Sequence, residues 1–241
     1  MRCSLLFRSA FPVCKKADKA GPLLATVLLS AFLPAVASAQ GIVNQSANIK
    51  ILSPAPASVA VNAIESDTFI ELLRERQNYQ LATDLNVNIT STGTFTSTAS
   101  LTPGVIGAGT RINSTYLFTD IVDDTNPITF DGFVTFDTAI LGVIVTNFVA
   151  SDAVVGLAPT TTYGGNRALE FPQDTVIISA DRRTLTFRPT TINRIDAVRV
   201  ITAAVPEPGE WATMGFAGAG LCGLMVRARR KKANTSKTPA A

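Results

Sequence analysis

The chain has 241 residues, three cysteines, no histidine and a formal net charge of +3. Without histidine, Ser–His and Cys–His nucleophilic sites and His-containing zinc sites are excluded. The excess of positive charge lies at the two ends, whereas residues 40–205 carry ten basic and fifteen acidic side chains, a net of −5, so nucleic acid is not an expected partner.

Residues 1–39 read as a secretory signal peptide. A basic stretch ending at Lys19 precedes the apolar run Leu23–Leu33, and Ala37 and Ala39 supply small residues at the −3 and −1 positions before Gln40. An eleven-residue apolar helix rises only about 16 Å, too short to span a bilayer comfortably, so this is a cleavable signal helix for a signal peptidase. Cys3 and Cys14 fall here and Cys222 falls near the C-terminus. The region between them therefore has no disulfide, no thiolate zinc site and no cysteine nucleophile, and must be stabilised by its core.

Residues 40–66 read as an extended lead-in or linker, with Pro54 and Pro56 inside a Ser-Pro-Ala-Pro-Ala-Ser stretch. Residues 67–204 form the expected β domain. Asp67–Leu81 fits either a strand or a short helix capped by Ser66, because Phe69, Leu72 and Leu73 suit one helix face while Phe69, Glu71, Leu73 and Glu75 alternate. From Leu85 the chain is rich in Thr, Val, Ile and Phe. Leu85, Val87 and Ile89 alternate with polar residues, and Ile128, Phe130, Val134 and Phe136 share a face. Ile140–Val145 is apolar on both faces, as in a central strand. Val176 and Ile178, the turn Asp181-Arg182-Arg183, then Leu185 and Phe187 spell a hairpin, and Ile195–Thr202 supplies the last strand. No repeat of 20–50 residues is visible, and the expectation is an all-β fold, a β-sandwich of jelly-roll-like form.

Residues 205–232 have their own three-part layout. Pro206-Glu207-Pro208 interrupts any incoming strand, an apolar segment runs from Trp211 to Val226, and a basic cluster of Arg227, Arg229, Arg230, Lys231 and Lys232 follows. Sixteen apolar residues rise about 24 Å as a transmembrane helix. Gly215, Gly218 and Gly220 permit close helix contact within the membrane, Trp211 suits the interface, and the basic cluster holds the cytoplasmic side. Residues 233–241 read as a disordered tail.

Tripeptide, glycine-rich apolar helix and basic cluster, in that order and downstream of a signal peptide, resemble the PEP-CTERM sorting signal of exported bacterial proteins. Glu210-Trp211-Ala212-Thr213-Met214 also resembles the sequence that commonly follows the tripeptide. The resemblance implies processing near Pro206 by an exosortase, a transient stay in the inner membrane, and delivery to the cell surface or extracellular matrix of a bacterium that makes exopolysaccharide. The tail beyond the basic cluster departs from the pattern. Without the resemblance, the segment is an ordinary membrane anchor that still places residues 40–205 outside the cytoplasm. Gly109–Ser114, Ile140–Ile144 and Ser179–Leu185 are similar to the body of a family of uncharacterised exported PEP-CTERM proteins, which implies a shared fold and contributes no known activity.

Within the middle region, Asp120, Asp123, Asp124 and Asn126 before Pro127 are the densest oxygen-ligand cluster, a candidate calcium site in an extracellular setting, or else a turn between strands. Their spacing does not match an EF-hand. A glycosidase needs two suitably spaced acids, and fifteen acids offer no particular pair. Aromatic platforms for sugars reduce to Tyr79, Tyr116 and Tyr163, and a Ser–Lys dyad would need Lys50, the sole lysine of residues 40–205. Thr90–Thr102 holds nine Ser or Thr in 13 residues, either O-linked sugar acceptors or exposed strand faces. Thr160–Asn166 reads as a flexible surface loop, either a contact site or simply a connection. The expected function is a non-enzymatic exported structural or adhesive component linked to exopolysaccharide or biofilm. The alternatives are a calcium-dependent carbohydrate-binding module and a carboxylate-based glycan hydrolase.

Overall fold

Beta-branched and aromatic residues dominate the extended backbone of the computed structural model, which describes residues 41–122 and 125–205. In chain order the strands are β1 (Ile42–Gln45), β2 (Ile49–Ile51), β3 (Ser58–Val59), β4 (Ile70–Gln80), β5 (Leu85–Val87), β6 (Gly93–Phe95), β7 (Gly104–Ile106) and β8 (Arg111–Thr119). There follow β9 (Ile128–Thr129), β10 (Gly132–Phe136), β11 (Ile140–Ile144), helix α1 (Phe148–Val155), β12 (Thr162–Tyr163), β13 (Thr175–Ile178), β14 (Thr184–Arg188), β15 (Thr190–Thr191) and β16 (Asp196–Ala203). The described residues are all-β with one short α-helix. The signal helix and the transmembrane helix expected from the sequence lie outside them, and no helix among the described residues is long and apolar enough to cross a membrane.

Two five-stranded sheets carry the fold, one ordered β1-β10-β14-β13-β6 and the other β11-β16-β8-β4-β2. Their facing sides share one apolar cluster. Val134, Phe136, Val176, Leu185 and Phe187 come from the first sheet, and Ile70, Leu72, Leu117, Val198 and Val200 from the second. The second sheet is buried on its other face as well, where Leu73, Tyr116, Phe118, Ala197 and Ile201 pack with Phe148 and Val155 of α1. Alternating residues of β16 therefore enter different clusters, and seven of its eight positions are buried. A strand covered on both faces reads as a nearly continuous apolar run.

Residues 40–66, expected as a lead-in, are extended but are built into the fold. β1 pairs antiparallel with β10, and β2 pairs parallel with β4, so this segment supplies an edge strand to each sheet. The ambiguous Asp67–Leu81 stretch resolves as strand β4, paired on one side with β8 and on the other with β2. Ser66 does cap the following turn, its Oγ accepting the backbone N–H groups of Thr68 and Phe69 at 3.2 and 3.0 Å, but the chain then enters a strand. β4 is interrupted by register shifts on either side of Arg76, and Asn78 takes a left-handed φ of 49° there.

The hairpin expected around Asp181–Arg183 forms between β13 and β14, with Val176 opposite Phe187 and Ile178 opposite Leu185. Ile140–Val145 lies at the end of its sheet rather than at the centre, as β11. Its apolar character holds because the free edge is covered: Val143 exchanges backbone hydrogen bonds with Ile89 at 2.9 and 3.0 Å. Thr160–Asn166 is likewise not a free loop, since Thr162 and Tyr163 pair in parallel with Ser58 and Val59.

The two ends of the described domain meet at one turn. Asp137 donates its N–H to the Gly41 carbonyl at 3.0 Å, Ala203 donates to the Ala139 carbonyl at 3.0 Å, and Thr138 Oγ1 donates to the Ala203 carbonyl at 2.6 Å. β11 leads away from this turn, and its far end, about 14 Å along the strand, opens onto α1.

Candidate functional site: a polar pocket over a buried ion network

Three charged or hydroxyl side chains stand on the α1-facing side of the second sheet: Glu75 at the irregular part of β4, Ser114 on β8 and Arg199 on β16. The register sets Arg199 directly across from Tyr116, which in turn faces Leu73. Arg199 and Glu75 are sealed from solvent, with side-chain exposures of 0% each. Their ion pair is bidentate, Arg199 Nε reaching Glu75 Oε2 at 2.7 Å and Nη2 reaching Oε1 at 2.7 Å. Ser114 Oγ donates to Glu75 Oε2 and Tyr163 OH to Oε1, each at 2.6 Å. Four donors fill both oxygens, so the charge of Glu75 is fully compensated.

Helix α1 closes this cluster. Phe148, Ser151 and Asp152 fall on one face at helical spacing. Asp152 Oδ1 accepts from Arg199 Nη2 at 2.8 Å, and Oδ2 accepts from Arg167 Nη2 at 2.6 Å. Ser151 Oγ accepts from Arg199 Nη1 and donates to the Phe148 carbonyl at 2.8 Å. Two guanidinium groups thus meet two carboxylates in a charge-balanced network. The rings of Tyr116, Phe148 and Tyr163 lie 5.1–5.8 Å from both guanidinium carbons, within cation–π range. Burial pushes the Tyr116 phenol up to about 12, partly opposed by Arg167. Burial and then Glu75 raise the Tyr163 phenol as well. For Arg167 and Arg199 burial works against the charged form, but their carboxylate partners prevail and hold both above the ordinary arginine value. No phenol or guanidinium of this network titrates near neutrality, and Arg167 Nε is the buried donor there with no hydrogen-bond partner among the described residues.

Above Ser151 a cavity of about 200 Å³ opens between the segment around β5, the end of β11 and the first turns of α1. Its polar lining comes from Asp84, Asn86, Asn88, Thr146, Asn147 and Ser151. Leu85, Ile144, Ala150 and Val154 supply the apolar part. Asn88 fixes the shape, since its Oδ1 accepts the N–H groups of Val145 and Thr146 at 2.8 and 3.0 Å and locks the β5 side to the entry of α1. Asp84 Oδ1 accepts the Ala108 N–H at 2.8 Å. Asn147 begins the helix in the left-handed region, φ 58°, and its side chain makes no capping hydrogen bond. Comparison with family models, with curated proteins and with solved structures returns no match. The pocket and the network beneath it are therefore read on their own chemistry.

A second buried acidic group lies where β16 begins. Asp174 and Asp196 are 0% and 1% exposed. Asp174 accepts the N–H groups of Thr190 at 2.8 Å and of Glu170, while Asp196 Oδ2 accepts the Thr191 hydroxyl at 2.7 Å. Asp196 Oδ1 has no hydrogen-bond partner among the described residues. Burial, reinforced by the charge of Asp174, pushes the Asp196 carboxyl up to about 7. Burial raises Asp174 also.

Of the residues singled out in the sequence, Asp120 and Asn126 are the described members of the proposed calcium cluster, and they face different partners. Asp120 is buried and accepts backbone N–H groups from residues 62–64, with its carboxyl pushed up to about 6 by burial. Asn126 is exposed and donates to Thr125 Oγ1 at 3.0 Å. Asp123 and Asp124 lie outside the described residues, and no three His, Cys, Asp or Glu side chains gather as a metal group among the described residues. Lys50 pairs with Glu71 at 3.3 Å rather than with a serine. Tyr116 is fully buried and Tyr163 is tied to Glu75, so neither presents a platform to a sugar. The signal cleavage residues Ala37, Ala39 and Gln40 lie outside the described residues. So do Pro206, Glu207 and Pro208, the anchor residues Trp211, Gly215, Gly218 and Gly220, and the basic cluster of Arg227, Arg229, Arg230, Lys231 and Lys232.

The network and the pocket were not anticipated, although part of the signal was present. Arg199 interrupts the apolar run Ala197–Ile201, and Glu71 and Glu75 flank Leu72 and Leu73. Opposite charges inside apolar strands point to a buried pair. Nothing local marks Asn86, Asn88 and Asn147 as neighbours.

Proposed function

We propose that residues 40–205 are the exported, non-catalytic product of this chain, a β-sandwich displayed at the cell surface or in the extracellular matrix with a structural or adhesive role. Its jelly-roll-like form is supported by a chain that crosses repeatedly between the two five-stranded sheets, from β4 to β6, to β8, to β10 and to β11. The observation that carries the reading is the meeting of both domain ends at the Asp137–Ala139 turn. Cleavage after Ala39 by signal peptidase and cleavage near Pro206 by an exosortase would both fall just outside the first and last strands, at one pole. The fold then survives both cuts.

A non-catalytic role is supported by how the interior charges are used. Glu75, Asp152, Arg167 and Arg199 engage one another, and among the described residues Asp84 is the one acid lining the pocket, whereas carboxylate-based glycoside hydrolysis requires two. The sorting reading is tested in a strain lacking its exosortase. Loss of surface delivery together with an increase in mass supports it, and unchanged delivery with unchanged mass defeats it.

A further inference from the structure

We infer that the pocket between Asn86, Asn88, Asn147 and Ala150 is a metal-independent binding site for one neutral sugar unit of a glycan. Its use in matrix attachment rests on the adhesive reading above, but the binding itself does not. The lining decides the ligand class by elimination. Among the described residues no Lys or Arg lines the cavity, so a phosphate, sulfate or uronate carboxylate would find no counter-charge there and would meet Asp84. An amino acid fails for its carboxylate in the same way. No aromatic ring among the described residues lines it either, so a nucleobase finds no ring there on which to stack.

What the walls offer is hydrogen bonding to hydroxyl groups. The side-chain amides of Asn86 and Asn147 and the Nδ2 group of Asn88 hydrogen-bond to no other described residue, leaving donors and acceptors in both senses. Asp84 keeps Oδ2 as a charged acceptor, since its protein hydrogen bond uses Oδ1. A carboxylate flanked by carboxamides, beside an apolar patch of Leu85, Ile144 and Val154, matches the alternation of hydroxyl rim and C–H face on a pyranose ring. At about 200 Å³ the cavity falls below the roughly 300–1,000 Å³ typical of pockets for drug-sized ligands, so it takes a single unit and leaves the rest of a chain in solvent. Ser151 at the floor is held by Arg199 and the Phe148 carbonyl, and Asn88 is held by the backbone of residues 145–146. The floor and the Asn88 wall are therefore set before a ligand arrives, which lowers the entropic cost of binding there.

The test is a titration of the purified full-length chain with glucose, galactose, mannose, N-acetylglucosamine and glucuronate in the presence of a calcium chelator, followed by saturation-transfer and amide-shift NMR. The expected result is binding of at least one neutral sugar, with glucuronate weaker than glucose by about tenfold or more. Ala150→Phe, which fills the cavity from an exposed helix position, weakens binding by at least about tenfold. Asn86→Ala, which removes an amide that no described residue uses, weakens it severalfold while leaving the melting temperature unchanged. Binding of none of the neutral sugars, equal or tighter binding of glucuronate, a requirement for calcium, or unchanged affinity in Ala150→Phe each overturns the proposal. Because the titration uses isolated protein, its failure leaves the sorting reading standing, and failure of sorting leaves the titration valid.

Discussion

Arg199 and Glu75 form an ion pair sealed inside the fold. Four donors fill Glu75 and four of the five Arg199 N–H groups are used, so removing one residue strips the other of its bidentate partner in the interior. Arg199→Met is expected to destabilise the protein by roughly 3–5 kcal/mol in urea denaturation. Replacing Glu75 by Leu in the same background should restore part of that loss, because an uncompensated buried charge costs more than an apolar pair. A double mutant no more stable than Arg199→Met would show that packing around the guanidinium, rather than charge pairing, sets the cost. Asp196 acts in the opposite sense. Its carboxyl titrates at about 7 in the folded protein, against about 3.9 in an unfolded chain. Between these values the native state keeps a proton that the unfolded chain has released, so this group favours the fold fully below about pH 4 and loses that contribution as pH rises through 7. Asp120, pushed up to about 6, adds to the same slope. Chemical denaturation from pH 4 to 8 should show Asp196→Asn flattening the upper part of this decline, and an unaltered slope in that variant would assign the decline elsewhere.

Elements differed in how far local sequence announced them. The β13–β14 hairpin was legible because alternation, turn residues and register agree, and Asp181 Oδ1 accepts the Arg183 N–H at 3.1 Å within the turn. β4 was ambiguous because it is buried on both faces and broken by irregular pairing, which blurs a period of two. The lead-in strands were missed because pairing with β10 and β4 is a long-range event. Helix α1 was missed for a more specific reason: Asn147 provides no side-chain cap, and beside the apolar contacts of Phe148 and Val155 the helix is held by Ser151 and Asp152 gripping arginines distant in sequence, which no local pattern shows. Pairing at close quarters also explains Gly142 on β11. A Cβ there would lie 2.7–2.9 Å from three atoms of Val87 on β5. Gly142→Ala is expected to cost about 1–3 kcal/mol by overpacking, and Gly142→Ala combined with Val87→Ala should recover much of it. Equal stability of Gly142→Ala and the parent in thermal melts would contradict the close approach of these two strands.

At the scale of the whole molecule, the sequence marked the division between basic ends and an acidic, cysteine-free middle, and the all-β character of that middle is what the described residues show. The position of the pocket was hidden, because Asn86 and Asn147 are brought together by the Asn88 link to the end of β11 and not by any local pattern. The meeting of the two domain ends was hidden for the same reason, since it depends on one turn at residues 137–139 receiving both the first and the last strand. On the proposed processing, the +3 of the full chain belongs to a precursor, and −5 to residues 40–205 as its product. Intact-mass spectrometry of the protein recovered from the cell surface tests this most directly. The account predicts a product that begins at Gln40, ends near Pro206 and lacks the basic cluster of residues 227–232. Recovery of the unprocessed chain at 25.4 kDa, with Met1 and Ala241 both present, would contradict it.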